Sequence, residues 1–530
     1  MRTNGPIQLY PFLRIALCLI VGILLGDAMV DVVAIIVWQW LFVGLLFTLF
    51  ILYRCNRSAI AQTVLLFCVI VVGGAWRVAY HERQQWCTFS GEEEHFEAVV
   101  MAQPVEKRRS FKCELAVVSG RMVGHKVNAY FQKSPSDASS ATLSALNVGD
   151  GIVATSVFSP FDDEEHQRGG FDWSRQRMAR GIVARTFVRT DCWQRAEVST
   201  LTLPVFTRLS LHLQSLRQHL LLRLRRSGIS TEAYATIAAM TLGDKTTLTA
   251  ELRDTYSRAG VAHLLALSGL HLSIIYGIFF FFLGRWRNTV LGFVSIVALV
   301  WFFAILVGLS PGIVRSALMF TLCTIMAFLS RGYITLNSLA TAATVMLIAS
   351  PQMLWDIGFQ MSFVAVLGIV LCLNRFYSNR LYWHLLRHRV WGKIFPMVAV
   401  AFSAQVFVLP LVMYYFGRVP LYFLLSNIIA VPLATIVIYA AVLLFVLSPL
   451  CAFAQCIEMF WQFVAKGVDW IVGAMNVALA WIARQPGASF DGAYINIAQL
   501  FLLYALIVAL FVLWRYCEKM WESAHGTFKL

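Results

Sequence analysis

Two histidines and a serine stand where hydrocarbon is expected. Residues 261–272 read VAHLLALSGLHL, with His263, Ser268 and His271 among Leu, Ala, Val and Gly, and the run continues as SIIYGIFFFFLG. Imidazole and hydroxyl groups at this spacing could attack an acyl carbon, bind a metal, or hydrogen-bond a polar cargo. Further polar residues interrupt later apolar runs: Arg315 in SPGIVRSALM, Asp356 and Gln360 in WDIGFQMSFVAV, Gln405 in FSAQVFVLPL and Asn427 in LLSNIIAVPL. Each lies near Gly269, Pro311, Gly358, Pro410 or Pro432. A helix broken at Gly or Pro releases backbone groups that only protein or water can satisfy. Ionisable groups at membrane depth are costly and usually face a bundle interior or a hydrated cavity. Singly, each reads as an interhelical hydrogen bond; as a set they read as a polar conduit.

Nucleophile and metal chemistry fit less well. ALSG at 266–269 is similar to the GxSG loop of rhomboid-type intramembrane proteases, but Ala266 replaces the first Gly. A histidine from a second helix is also missing from the apolar runs. His384 and His388 are spaced for a metal, yet RFYSNRLYWHLLRHRVWGK carries five Lys or Arg and no acid, as a basic membrane-facing segment would. No HExxH and no His/Asp cluster of the dinuclear metallohydrolase type occurs, so neither a cofactor nor a catalytic site is expected.

The elements that must position these residues are membrane helices. The 530-residue chain is 59% hydrophobic, with a mean hydropathy of +0.70. Roughly 20 apolar residues span a bilayer, and such runs recur. The fold class is a polytopic α-helical membrane protein of about 10–12 membrane helices with an external OB-like β-barrel domain. The expected divisions are 1–80, about three membrane helices; 81–200, the barrel; 201–260, a helical linker; 261–516, the main membrane domain; and 517–530, a tail. The first run reads as a retained helix, being too long for a signal-peptide core.

Lys and Arg flanking the runs place both termini in the cytoplasm and the polar island outside. Five β-patterned runs occupy the island near 95–102, 110–119, 125–132, 150–158 and 181–189, separated by turn residues. An OB barrel is a candidate for them, able to bind single strands or sugars; a structural cap without ligand fits equally. Arg223, Arg225 and Arg226 form a basic knot after it, and the net charge of +15 suggests a polyanionic partner or an anionic membrane surface, besides positive-inside loops. Cys87, Cys113 and Cys192 allow at most one disulfide among themselves, pairing open. Residues Gln462, Lys466, Asp469, Gly473, Asn476 and Ala480 share one helical face, which suits a surface helix or an aqueous lining.

The chain resembles the ComEC family of DNA-internalisation channels of bacterial natural competence, over nearly its whole length. TLGDKTTLTAELRDTYSRAGVAHLLALSGLHLSIIYG is similar to the family's central signature. SPGIVRSALM, WDIGFQMSFVAVLGI, AQVFVLPLVMYYFGRVPLYFLLSNIIAVPLA and ARQPGASF follow in family order, and RGGFDWSRQRMARGI resembles the end of its OB-type domain. The resemblance implies an inner-membrane channel importing single-stranded DNA during transformation. A periplasmic DNA receptor, a separate nuclease and a cytoplasmic helicase or single-strand-binding protein are its implied partners besides lipid; the oligomeric state stays open. Many members carry a C-terminal metallo-β-lactamase-like domain, for which this chain has no counterpart, so nuclease activity is not carried over. On this reading His263, Ser268 and His271 face the channel, Arg315 and the external DNA contacts Arg223, Arg225 and Arg226 draw DNA in, and Asp356 pairs with a cation. A transporter or flippase of an anionic lipid or glycan is the alternative, and a scaffold without transport a third reading.

Overall fold

The structure is a computed structural model that describes residues 10–55, 58–85, 89, 91–107, 109–133, 146–161, 177, 181–199, 201, 203–329, 335–376, 391–452 and 455–525. RGGFDWSRQRMARGI, apart from Arg177, Gly181 and Ile182, lies outside those residues, as do His384, His388 and Cys87.

Three helices open the chain: α1 (Pro11–Ala28), α2 (Ile35–Arg54) and α3 (Ala59–Gln85). Pro11 suits the first turn of α1, where its missing N–H costs nothing. The polar island then folds as strands β1 (Glu93–Val100), β2 (Val105–Glu106), β3 (Ser110–Ser119), β4 (Lys126–Gln132), β5 (Gly151–Ser159), β6 (Ile182–Val188) and β7 (Trp193–Arg195). The five expected strands are all present. They close on themselves in the order β1-β3-β4-β6-β5, with β5 returning to β1. All ladders in this ring are antiparallel except β4 with β6. Closure removes the exposed edges a small sheet would otherwise carry. Phe96, Leu115, Phe131 and Ile152 fill the interior. Cys113 and Cys192 are free thiols.

Helix α4 (Val205–Arg225) leaves the barrel, and α5 (Thr231–Leu242) and α6 (Ala250–Arg258) follow. α5 is buried from Ala233 to Leu242. It ends at Gly243, whose φ of 72° is the left-handed conformation that stops a helix. The remaining helices are α7 (Gly269–Leu283), α8 (Val290–Leu306), α9 (Pro311–Phe328), α10 (Thr335–Ala349), α11 (Ile357–Phe376), α12 (Trp391–Phe416), α13 (Phe423–Leu447), α14 (Gln455–Ala483) and α15 (Ile497–His525). A small sheet of β8 (Arg418–Pro420) and β9 (Ser489–Asp491) ties the start of α13 to the end of α14.

Among the described residues nine helices are long and apolar enough to cross a membrane; three shorter apolar helices lie at 290–306, 335–349 and 357–373. The chain is a multi-pass membrane protein. Its largest core cluster joins α5 and α6 to α13 and α14. The polar face of α14 is largely spent there. Asp469 accepts from Ser230 N–H (3.2 Å) and Oγ–H (2.6 Å), and Asn476 accepts from Tyr256 O–H at 2.7 Å. Only Gln462 and Lys466 of that face are well exposed. The four-three spacing therefore records packing against α5 and α6 more than contact with water.

Candidate functional site

The apolar run that starts at Val261 does not start a helix. Residues Ala262–Leu265 form one 3-10 turn, Ala266 and Ser268 are extended, and α7 begins only at Gly269. Ser268 is its N-cap. His271, three residues on, reaches back: Nδ1 accepts from the Ser268 backbone N–H at 3.2 Å and lies 2.9 Å from Ser268 Oγ. This is a capping box with histidine where Glu or Gln is usual. Because Nδ1 accepts a backbone N–H, the neutral ring carries its proton on Nε2. Nε2 is buried and has no partner among the described residues, and the whole side chain is 1% exposed. An unmet buried donor costs free energy unless a ligand or water meets it.

α9 packs directly on this break. A Cβ on Gly269 would stand 2.8 Å from Ser316 Oγ and 3.4 Å from Arg315 Nη2, so only Gly admits α9 so closely. Arg315 is 6% exposed. Its Nη1 donates to the Ser362 carbonyl of α11, Nη2 lies 3.5 Å from Ser316 Oγ, and the guanidinium sits 5.8 Å from the Phe363 ring centroid. No carboxylate pairs with it among the described residues, and Nε has no partner there. A cation buried without an ion pair is expensive and marks a functional position by default. The loop entering α9 adds strain. Leu309 has a φ of 53°, the left-handed region disfavoured for a side-chain-bearing residue, and buried Ser310 Oγ is unpartnered among the described residues.

Asp356 and Gln360 stand next door. Asp356, 2% exposed, caps α11 by accepting from Phe359 N–H at 2.9 Å. Gln360 donates to the Leu354 carbonyl (2.9 Å) and accepts from Tyr415 O–H (2.6 Å), which links α11 to α12. Pro311 lies 4.0 Å from where a Gly358 Cβ would be, so the α11 start abuts the α9 start.

Thus Ser268, His271 and Arg315 form one junction, with Asp356 and Gln360 beside it. His263 is accessible on its 3-10 turn and within electrostatic reach of His271. The remaining expected path residues are not drawn in. Asn427 donates to Phe423 of its own helix at 2.7 Å. No hydrogen bond joins Gln405 to the rest among the described residues. Arg223 pairs with Glu458 at 3.0 Å and lies over Trp461, while Arg225 and Arg226 are exposed. No group of three or more His, Cys, Asp or Glu among the described residues could hold a metal.

Sequence reasoning missed Ser316, Ser362 and Tyr415, and it missed a platform on the barrel. Tyr130 of β4 and Phe187 of β6 are cross-strand partners whose rings stack at 5.2 Å and 23°. Phe187 is 60% exposed. Arg185 lies 5.6 Å from its ring, and Lys112 stands opposite Tyr130 on β3. Stacked aromatics flanked by cations suit the bases and phosphates of a single strand.

The model of a family described as "Competence protein" matches residues 240–516, just over half the chain. The chain belongs to this competence family. It is similar to ComE operon protein 3 of Bacillus subtilis (strain 168), 25% identical over 262 residues that make up 48% of this chain and 32% of that protein. It is also similar to Recombination protein 2 of Haemophilus influenzae, 28% identical over 327 residues, or 58% of this chain and 38% of that one. The chain thus spans about a third of the length of the curated relatives it matches. No solved structure matches it. All eight expected path residues fall inside the competence-family segment, and the β-barrel lies before it.

Proposed function

We propose that this chain forms the passage by which one DNA strand crosses the bacterial inner membrane during natural transformation. The reading is carried by one observation: within the competence-family segment, a broken helix brings Ser268, His271 and the buried, acid-free Arg315 together. Neutral imidazole, hydroxyls and one cation can bind phosphates weakly and repeatedly, as conduction requires. The barrel, on the external side, receives the strand on the Tyr130–Phe187 platform; both termini are cytoplasmic, following the Lys and Arg flanks. A separate protein supplies any nuclease, a periplasmic receptor delivers DNA, and a cytoplasmic helicase or single-strand-binding protein draws it in.

The test is a clean deletion in the source bacterium, with wild-type and Arg315→Ala genes returned separately. Internalised labelled DNA is measured in the cytoplasm, with membrane abundance alongside. Uptake is expected to vanish on deletion, return with wild type, and stay absent with an abundant Arg315→Ala protein. Normal uptake in the deletion strain, or with abundant Arg315→Ala, overturns the reading.

A further inference from the structure

A cavity of about 610 Å³ lies between α4, α7, α8 and α13. Its size falls in the ~300–1,000 Å³ range of ligand sites. The walls are mainly hydrocarbon, with Phe279, Phe302, Phe303 and Phe445 among them; Thr241, Ser448 and, at the inner end, His271 also line it. Such a volume suits an acyl chain rather than a phosphodiester, and it meets the Ser268–His271–Arg315 junction only at His271. The charged lining residues are Arg223 and Arg226, with His219 beside them; no acid lines the cavity. Glu458 neutralises Arg223 from outside the lining at 3.0 Å, which leaves Arg226 exposed at the mouth.

α4 itself points to a membrane surface. Val205, Leu209 and Leu216 are exposed along one stripe, and Leu216 continues into the cavity. By helical spacing His219, Arg223 and Arg226 extend the same stripe, so it runs from apolar to cationic. An amphipathic helix of this kind lies in the interface with its apolar stripe in the acyl region, and arginines there reach for headgroups.

We propose that the cavity holds one phospholipid with an anionic headgroup: an acyl chain against the phenylalanines, and the headgroup phosphate on Arg226, beside His219, whose Nδ1 donates to the Ser215 carbonyl at 2.8 Å. The inference shares His271 with the passage reading but is tested by lipid binding alone. It uses the observed match of apolar volume to cationic mouth, and its failure leaves the passage reading standing.

The test uses the full chain purified in detergent and native mass spectrometry, titrated with phosphatidylglycerol or phosphatidylcholine. Wild type is expected to keep phosphatidylglycerol at detergent concentrations that strip phosphatidylcholine. Arg226→Glu should weaken phosphatidylglycerol binding by at least about tenfold. Arg225→Ala, on the opposite face of α4, should bind as wild type does. Leu306→Trp, which fills the cavity from α8, should lose the lipid with its cationic mouth intact. Size-exclusion elution and thermal midpoint show which variants fold. Should Arg226→Glu not fold, His219→Glu takes its place with the same expectation. Equal retention of both lipids overturns the proposal, as does retention that neither the mouth variant nor Leu306→Trp reduces.

Discussion

His271 holds a helix start with one ring nitrogen and leaves the other unmet among the described residues. The two roles separate by substitution. Leu removes both, and losing such a cap costs about 0.5–2 kcal/mol. Gln is an ordinary residue at this capping-box position, so His271→Gln restores the cap without restoring the Nε2 donor. His271→Leu is expected to insert with a lowered thermal midpoint and no DNA uptake. His271→Gln should recover the midpoint while uptake stays low; uptake that recovers with the midpoint would reduce His271 to a cap. A second residue-scale expectation concerns Cys113 in the barrel. Burial, reinforced by the neighbouring Glu114 charge, pushes its thiol up to about 12. The folded barrel therefore favours the neutral thiol. That contribution is whole below the ordinary thiol value of 9.0 and fades as pH rises towards about 12. At pH 8 the thiolate, the reactive form, is scarce, so iodoacetamide should leave Cys113 unmodified in the folded chain and alkylate it after unfolding in guanidinium. Rapid alkylation in the folded chain would show that the barrel core is open.

At the scale of elements, the barrel binds through strands that are far apart in sequence. Tyr130→Ala and Phe187→Ala should each weaken binding of a labelled single strand by about 1–3 kcal/mol, the usual worth of one base-aromatic stack. Phe187→Ala should scarcely alter stability, since the ring is largely exposed. Lys112→Ala should lower affinity and flatten the log K against log salt slope by about 0.7, the counterion share of one single-strand phosphate. Fluorescence anisotropy of the detergent-solubilised chain checks all three, and unchanged affinity in both aromatic variants would remove the platform. The strands themselves were legible: alternation marks 110–119, and β3 occupies Ser110–Ser119. A small barrel was expected from them as well, but the pairing that closes it was not legible, because the parallel β4–β6 ladder joins segments some fifty residues apart that no local pattern links. The same limit hid the junction. Ser268 and His271 are three apart and could be read as a cap, but Ser316 and Ser362 are ordinary small residues until α9 and α11 meet α7. Polar character alone does not give a residue's partner. Asn427 satisfies its own helix, and Asn476 holds α14 to α6.

At the scale of the molecule, the N-terminal helices lie outside the competence-family segment yet pack into it. Leu19 and Ile23 of α1 and Val78 of α3 share a buried cluster with Ala343, Met346 and Leu347 of α10 and Phe359 of α11. Arg77 fastens α3 to the end of α10 by donating to the Ile348 and Ala349 carbonyls at 3.0 Å each. The closeness of α1 and α3 depends on small residues. A Cβ on Gly22 would stand 2.1 Å from the Val71 carbonyl oxygen, and one on Gly26 would stand 2.6 Å from Ala75 Cα. Both obstacles are backbone, so no side chain can swing away, and the four-residue spacing is the small-xxx-small pattern of close membrane helix pairs. Gly22→Leu must therefore separate the helices and disturb the cluster that carries α10 and α11, at a cost above the roughly 1–3 kcal/mol of ordinary overpacking. Gly44→Leu on α2, with nothing within 4 Å of its Cβ position, is the matched control. Arg77→Ala, which removes two hydrogen bonds averaging about 0.6 kcal/mol each in membranes, should fall between them. Thermal midpoints and membrane abundance are expected to rank Gly44→Leu near wild type, Arg77→Ala lower and Gly22→Leu lowest. A Gly22→Leu protein as stable as the Gly44→Leu control would mean that α1 is not seated on α3 at this separation.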